Sequence, residues 1–127
     1  MADETSGSDD GSVRTALENA IVGLFKKYYG RGPSAAKAWV LDEYVFVALE
    51  EGLTRGEETL LHSGKEDEIR KFRLEYEDAV AEEAKQLVAD ITGRHVLDYH
   101  SQIVFHPVRS FEIFVLERQT APDADQG

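Results

Sequence analysis

Four basic residues lie around a glycine-rich loop and could bind an anion. Lys26, Lys27, Arg31 and Lys37 flank or occupy the segment 30–33, Gly-Arg-Gly-Pro. Phosphate-binding loops place their glycines just before a helix, where free N–H groups and the positive end of the helix dipole meet the anion. Here the glycines follow a predicted helix, so any anion affinity must come from the side chains. The stretch is therefore either a site for an anion or acidic partner, or the connection between a helix and a strand.

The histidines of the C-terminal third form a second candidate site. Asp98 and His100 share one face of a predicted strand, and His95 and His106 lie close by in sequence. Same-face positions on one strand are about 7 Å apart, whereas metal ligands converge to about 2 Å from the ion. The chain has no cysteine to add a thiolate ligand. We therefore expect a polar strand surface and no metal site, with imidazole titration as the alternative role.

Paired carboxylates could suggest general acid–base catalysis, which requires environments that separate two pKa values. The pairs are Glu50-Glu51, Glu57-Glu58 and Glu82-Glu83, and each lies beside a predicted cap, turn or exposed helical face. The sequence contains no Gly-x-Ser-x-Gly, His-Glu-x-x-His or Walker motif. We predict no catalytic residue and no cofactor.

Composition places the chain among single-domain globular proteins. Its 127 residues are 42% hydrophobic and 31% charged, enough for one core. A net charge of −11 repels phosphate backbones and argues against nucleic acid as a partner. The acidic N-terminus is unlike a signal peptide, and the apolar runs are shorter than the roughly 20 residues of a bilayer span. We expect a cytoplasmic protein without direct membrane insertion, which reaches the membrane through a partner.

The elements that must position these residues follow from periodicity and capping patterns. Residues 1–12 and 119–127 are predicted to be disordered acidic tails, which leaves 13–118 as the folded domain. A first helix begins after Ser12 and ends at Gly30. Its apolar stripe consists of Leu17, Ile21, Leu24, Phe25 and Tyr28.

Two hairpins and two further helices complete the predicted domain. The first hairpin turns at Asp42-Glu43, and the second, formed by 94–105 and 110–117, turns around Pro107. Capping boxes at Thr54/Glu57 and Ser63/Glu66 open a short and a long helix, and the long one ends at Gly93. Its apolar stripe consists of Ile69, Phe72, Tyr76, Ala79, Val80, Leu87, Val88 and Ile91. The order α-β-β-α-α-β-β predicts an α+β two-layer sandwich, with helices on one face of a four-stranded, mainly antiparallel sheet.

The predicted strands carry apolar residues on both faces, which bears on assembly. Phe111, Ile113 and Val115 alternate with Phe114 and Leu116. One layer of helices covers one face, so we expect a homodimer that uses the other face or an edge strand. Trp39 is predicted to pack on the sheet as part of the core.

Four segments resemble the prokaryotic DUF2294 family, also called MpsC-like after a Na+-translocating, membrane-potential-generating system. They are "YYGRGPSAAKAWVLDEYVFVALEEGLTRGEETLL" at 28–61, "IRKFR" at 69–73, "ITGRHVLDYHSQI" at 91–103 and "FEIFVLE" at 111–117. The resemblance implies a small protein associated with ion translocation or energy coupling, and it supplies no catalytic residues.

Arg31 and Arg73 are the positions in these segments that capping and helix termination do not explain. With Lys37, they are our candidates for a site that binds an anion or a partner. The leading hypothesis is a non-enzymatic accessory or regulatory module that docks on a membrane transport or bioenergetic partner. The alternative is a dimeric binding module or sensor for a small phosphorylated or carboxylate metabolite. A shared site requires Arg31, Arg73 and the start of the helix at 54–58 to converge on one pocket.

Overall fold

A computed structural model describes residues 2–118 of the chain, with side chains from residue 11 onward. Within this range the three helices and four strands follow the predicted order. Their bounds are α1 Ala2–Tyr29, β1 Ala35–Leu41, β2 Tyr44–Glu50, α2 Arg55–His62, α3 Glu66–Thr92, β3 Val96–Val104 and β4 Arg109–Leu116. The predicted tail 119–127 lies outside the described residues.

The four strands form one antiparallel sheet in the order β1-β2-β4-β3. The two hairpins lie side by side, and β2 pairs with β4 at the centre, from Tyr44↔Val115 to Glu50↔Arg109. Helix α1 packs on β1, and α3 packs on β3 and against α1. The predicted two-layer sandwich is confirmed.

Helix α1 buries the predicted apolar stripe against the sheet. Leu17, Ile21, Leu24 and Phe25 are buried, and the helix ends at Gly30, whose φ of 78° is the left-handed conformation that glycine favours. The helix begins ten residues before the predicted N-cap, so Ser12 lies inside it. No proline interrupts the preceding stretch. Residues 2–12 thus belong to α1 in the structure, and disorder of this segment remains a prediction.

The capping boxes had different outcomes. At α2 the Thr54 hydroxyl accepts from the Glu57 N–H at 3.2 Å, and the Glu57 carboxylate accepts from the Thr54 N–H at 2.8 Å. The predicted box at Ser63 is wrong. Ser63 ends α2 instead, donating its N–H back to that helix, and Lys65 begins α3 without a side-chain cap. Gly64, at a φ of 70°, separates the two helices.

Helix α3 packs by the predicted stripe over much of its length. Ile69, Val80 and Val88 are buried, as is Ala84, and Gly93 ends the helix with a φ of 71°. Phe72 is partly exposed because it faces a groove between α3 and α2 rather than the sheet.

The sheet has a covered face and an open face. Buried side chains such as Val45, Val47 and Phe114 point toward the helices. The opposite side, here called the open face, presents the alternate residues of each strand. Its apolar members are Trp39 and Leu41 on β1, Tyr44, Phe46 and Ala48 on β2, and Phe111, Ile113 and Val115 on β4.

Trp39 corrects one prediction about the core. It alternates with buried Ala38 along β1 and therefore points away from the helices, with 37% of its surface exposed. The strand period, rather than the size of the side chain, decides which face it occupies.

Candidate functional site

A cavity of about 150 Å³ lies beneath α3, between the C-terminal end of α1 and strand β3. Phe25, Val80 and Ile103 contribute apolar walls. The polar groups on its lining come from four elements and comprise Tyr29, Arg70, Arg73, Glu77, Tyr99, Ser101, Gln102 and Ser110. The cavity thus combines apolar walls with two arginines, one glutamate and several hydroxyl groups, as ligand sites combine apolar walls with a few polar groups.

Arg73 is held firmly at one side of this cavity. Its Nε donates to Glu57 Oε2 at 2.6 Å, and its Nη2 donates to Glu57 Oε1 at 2.7 Å and to the Gly52 carbonyl at 3.2 Å. The guanidinium carbon lies 4.0 Å from the centroid of the Tyr29 ring. This bidentate, stacked geometry fixes α3 to the beginning of α2 and to the end of α1.

The Arg73–Glu57 pair shifts both pKa values toward the charged forms. Burial raises the pKa of Glu57, but hydrogen bonds from Arg73 and Thr54 outweigh it and leave that pKa below its usual value. Burial lowers the pKa of Arg73, and the bonds to Glu57 outweigh that effect and raise it. The pair therefore stays ionised inside the domain.

Glu112 lies behind the hydroxyl groups of the same cavity. It is fully buried on β4, and its carboxyl accepts hydrogen bonds from Tyr99, from Ser110 and, at 2.9 Å, from Ser101. Three hydroxyls from two neighbouring strands thus surround one acid. Unlike Glu57, it has no guanidinium or ammonium partner among the described residues.

Burial dominates the titration of this cluster. It raises the pKa of Glu112, although the three hydroxyl donors partly oppose the effect. Burial also raises the pKa of Tyr99, and it raises the pKa of Tyr29 to about 12. The cluster thus favours neutral groups, in contrast to the neighbouring ion pair.

Arg31 occupies a different place. Its Nη1 lies 3.4 Å from Glu58 Oε2, and more than half of the side chain is exposed. It lines a separate shallow depression with Glu51, Gly52 and His62. Arg31 and Arg73 therefore contact adjacent glutamates of α2 but line different cavities.

Gly52 connects the arginine-bearing loop to Arg73 indirectly. Its φ is 92°, and a Cβ there would lie 3.2 Å from Cα of Pro33, while its carbonyl accepts from Arg73. A side chain at this position would be strained by both the conformation and the contact. The Gly-Arg-Gly-Pro loop therefore lies directly beside Gly52, whose carbonyl accepts a hydrogen bond from Arg73.

Lys37 lies on the open face of the sheet, apart from both arginines. Its Nζ is 5.6 Å from the centroid of the Trp39 ring. The three candidate residues predicted from sequence therefore occupy three places, and of these Arg73 reaches the cavity beneath α3.

The histidine cluster is divided between two contacts. His100 Nε2 lies 2.9 Å from Asp98 Oδ2, and His106 Nε2 lies 3.3 Å from Glu66 Oε2. Within residues 2–118 no group of three or more histidine, aspartate or glutamate side chains is arranged to hold a metal ion.

The helices were also compared with the length and hydropathy of a membrane span. Within residues 2–118 no helix is both long and apolar enough to cross a membrane.

The sequence reasoning missed Glu112, although a signal was present. Glu112 has the same parity on β4 as Phe114 and Leu116, which alternate with Phe111, Ile113 and Val115. Ser110 shares this parity too, and Tyr99 and Ser101 alternate in the same way on β3. A carboxyl and three hydroxyls on the covered side of two adjacent strands predict a buried polar cluster.

Comparison with protein-family models matches residues 9–118 to the family described as "Na+-translocating membrane potential-generating system (MpsC)". The match includes both hairpins, α2, α3 and most of α1. No curated protein and no solved structure gives a significant match.

Proposed function

Because the chain belongs to the MpsC family, we propose that it is a non-enzymatic accessory module of a Na+-translocating system, which engages an acidic segment of a membrane partner through Arg31. Membership of the family links the chain to a system that generates a membrane potential. The accessory role and the docking residue are our proposal, and the availability of Arg31 is the observation that carries it.

The two arginines differ in how far the fold uses them. Arg73 donates three hydrogen bonds inside the domain and stacks on Tyr29. Among the described side chains, Arg31 has one ion-pair partner, Glu58, at 3.4 Å in an exposed position. An exposed pair of this kind contributes little to stability, so a carboxylate of a partner can replace Glu58 at small cost.

The surroundings of Arg31 favour a protein partner over a phosphate. Gly30 follows the carbonyl end of α1 rather than preceding a helix, so the loop lacks the N–H cradle of a phosphate site. Lys26 is exposed one turn earlier on α1. The net charge of −11 repels an acidic partner at long range. The attraction to Arg31 and Lys26 therefore acts locally, within a Debye length of about 8 Å at physiological salt.

Co-purification from native membranes tests this proposal. The tagged protein is incubated with membranes at low salt, and the retained membrane proteins are identified by mass spectrometry. We expect Arg31→Glu to abolish retention of the partner and Arg31→Lys to preserve part of it. Arg118→Glu is the matched control, because Arg118 is also an exposed arginine with one long ion pair, to Glu43 at 3.3 Å.

The test compares how much of the membrane partner is retained by Arg31→Glu and by Arg118→Glu. Equal retention by the wild-type protein and Arg31→Glu contradicts the docking role of Arg31. Loss with both Arg31→Glu and Arg118→Glu indicates a non-specific charge effect and also contradicts it. Circular dichroism of each variant checks that the fold is retained.

The cavity beneath α3 favours a second candidate function, the binding of a small anionic metabolite. Nη1 of Arg73 takes no part in the hydrogen bonds to Glu57 and Gly52, and Arg73 lines the cavity. A volume of about 150 Å³ suits a small carboxylate, since drug-sized sites measure roughly 300 Å³ or more.

Thermal unfolding with a panel of small carboxylates and phosphates tests this second function. A ligand at 100 times its Kd stabilises the folded state by about 2.7 kcal/mol through mass action. We expect the rise in melting temperature to disappear in Ser101→Val, which alters the cavity wall and leaves Arg31 intact. An unchanged melting temperature across the panel contradicts metabolite binding and leaves the docking proposal standing.

A further inference from the structure

The two edge strands of the sheet meet their helices differently. On β1, the N–H of Ala38 donates to Glu18 Oε2 of α1 at 2.8 Å, so this edge and its helix are in direct contact. On β3, the cavity of about 150 Å³ separates the strand from α3, and Ser101 and Glu77 line the gap. Glu77 takes no part in the ion pairs of residues 11–118. The edge at β3 therefore has both an opening and a carboxylate that the fold does not use.

Charged groups divide this cavity into a basic end and an acidic end. Arg70 and Arg73 lie on one turn of α3, and Glu77 lies on the next, about 6 Å beyond Arg73 along the helix axis. The Arg70 guanidinium carbon is 5.0 Å from the centroid of the Phe105 ring, just after the end of β3. Burial raises the pKa of Tyr99, and the charge of Glu77 adds to this effect, so the two lie at the other end.

The basic end keeps the capacity to bind a carboxylate. Arg70 pairs with Asp67, whose side chain is 96% exposed, and an exposed pair of this kind contributes little to stability. A carboxylate of a ligand can therefore replace Asp67. Arg73 uses Nε and Nη2 for Glu57 and Gly52, and its Nη1 takes no part in those bonds. The two guanidinium groups can thus bind one carboxylate together.

The acidic end offers hydrogen-bond acceptors. The hydroxyls of Tyr99, Ser101 and Ser110 donate their hydrogens to Glu112. Each hydroxyl has one hydrogen, so the oxygens that line the cavity have only lone pairs left. The carboxylate of Glu77 adds further acceptors. Such a set of oxygens is complementary to a group with several N–H donors.

The charge at the acidic end is negative. Burial raises the pKa of Glu77, Asp78 raises it further, and His100 opposes them. Burial also raises the pKa of Glu112. Within residues 11–118 no lysine or arginine forms an ion pair with any of these three acids. A carboxylate at this end is therefore repelled, whereas an ammonium group is attracted.

We propose that this cavity binds a short zwitterionic amino acid, with its carboxylate at the basic end and its ammonium at the acidic end. The inference rests on the second candidate function, metabolite binding in this cavity, and names the class of ligand. A cavity of about 150 Å³ can hold benzene, a molecule of roughly six non-hydrogen atoms. Glycine, β-alanine and γ-aminobutyrate are close to this size. We expect γ-aminobutyrate to bind best, because the two ends lie about one helical turn apart.

Calorimetric titration of the full chain with matched ligands tests the class. γ-Aminobutyrate is compared with butyrate, which lacks the ammonium, and with butylamine, which lacks the carboxylate. β-Alanine and glycine are compared with their acids and amines in the same way. We expect the amino acid to bind with a Kd at least about 10-fold lower than that of either analogue, because each analogue loses the hydrogen bonds of one charged group.

Variants on α3 assign the two ends. Glu77→Gln should raise the Kd of γ-aminobutyrate by about 10-fold and thereby remove its advantage over butyrate. Arg70→Gln should weaken the binding of γ-aminobutyrate and of butyrate alike. Glu75→Gln is the matched control, because Glu75 is exposed on α3 and lines the groove toward α2 instead. It should leave every Kd unchanged, and circular dichroism checks the fold of each variant.

The outcomes separate this inference from the candidate function on which it rests. Butyrate that binds as tightly as γ-aminobutyrate overturns the zwitterion and leaves the binding of an anionic metabolite standing. Butylamine that binds as tightly overturns both, because the cavity then takes a simple cation. Absence of binding by all three amino acids at about 10 mM overturns the inference, and the thermal unfolding panel decides separately whether another carboxylate binds. An unchanged Kd of γ-aminobutyrate in Glu77→Gln also overturns it.

Discussion

Two buried glutamates on the covered side of the domain have opposite electrostatic properties. Glu57 meets a guanidinium and the N–H of its own helix cap, and its pKa is lowered. Glu112 meets three hydroxyls, and its pKa is raised because burial outweighs their hydrogen bonds. Both carboxyls are almost completely inaccessible to solvent. Burial alone therefore does not decide the charge of an acid; the presence of a buried cation does.

The comparison also separates two ways of joining elements. The charged pair joins α2 to α3 through a geometry that no neutral group reproduces. The hydroxyl cluster around Glu112 joins β3 to β4, which are already paired along their length. We therefore expect the ion pair to matter more to the stability of the domain than the hydroxyl cluster.

Removing the cation is expected to have the largest effect. Arg73→Met leaves Glu57 buried without its cationic partner, which should lower the free energy of unfolding by about 3–5 kcal/mol. Urea denaturation measures this change. Arg70→Met, one turn earlier on α3, is the control, because Arg70 pairs with exposed Asp67; its effect should stay within about 0.5 kcal/mol. Similar losses in both variants would contradict a special role for the buried pair.

Removing the acid without a cationic partner should have a smaller effect. Glu112→Leu deprives Tyr99, Ser101 and Ser110 of their acceptor, at a cost of about 1–3 kcal/mol. Urea denaturation of this variant beside Arg73→Met ranks the two sites directly. A greater loss for Glu112→Leu than for Arg73→Met would reverse the comparison. Glu82→Leu, on an exposed position of α3, is the control for the change of residue type.

The dependence of stability on pH should differ in sign between the two acids. The stabilisation from Glu57, whose folded pKa is below the usual 4.5, is present above pH 4.5 and is lost as the pH falls through the folded pKa. The stabilisation from Glu112, whose folded pKa is above 4.5, is present below pH 4.5 and is lost as the pH rises through its folded pKa.

Two amide variants separate these effects. Glu57→Gln should flatten the stability profile on the acid side, and Glu112→Gln should flatten its decline above pH 4.5. Each unit of difference between folded and unfolded pKa contributes about 1.4 kcal/mol. Urea denaturation across the range from about pH 3 to pH 9 measures both profiles. Flattening of the same side by both variants would show that the two acids do not differ in this way.

The smallest expected effect concerns the helix cap that shares Glu57. Thr54→Ala removes the hydroxyl that accepts from the Glu57 N–H and should cost about 1 kcal/mol. Ser63→Ala is the matched control, because Ser63 does not cap α3; its effect should stay within about 0.5 kcal/mol. Equal losses of the two variants in thermal unfolding would show that the Thr54 hydroxyl contributes no more than that of an exposed serine.

Local sequence patterns predicted the fold well where a segment carried one structural signal and no second signal pointed to a different structure. The stripe of α1, the stop at Gly30 and the box at Thr54 each depend on residues within one or two helical turns. The Ser63 box failed because the same residue also terminates α2, and Gly64 turns the chain between them. Trp39 was placed in the core by its size, whereas the alternation of β1 places it on the open face.

The candidate site was harder to predict, because its contacts join distant parts of the chain. Arg73 was selected because no local role explained it, but its partners Glu57 and Gly52 could not be identified without the packing of α2 on α3. Arg31 and Lys37 are nearby in sequence yet lie beside α2 and on the open face, respectively. Glu112 could have been predicted from strand parity, but its hydroxyl partners depend on the register of β3 against β4.

The bond between Glu18 and the Ala38 N–H has a consequence for the order in which the chain is synthesised. Glu18 emerges before the first hairpin, so the group that shields the outer edge of β1 is present as soon as that edge forms. The inner edge of β2 must wait for β4, which begins at Arg109, and stays unpaired while α2, α3 and β3 are made. During translation the vulnerable side of the nascent hairpin is therefore the side that becomes the centre of the finished sheet.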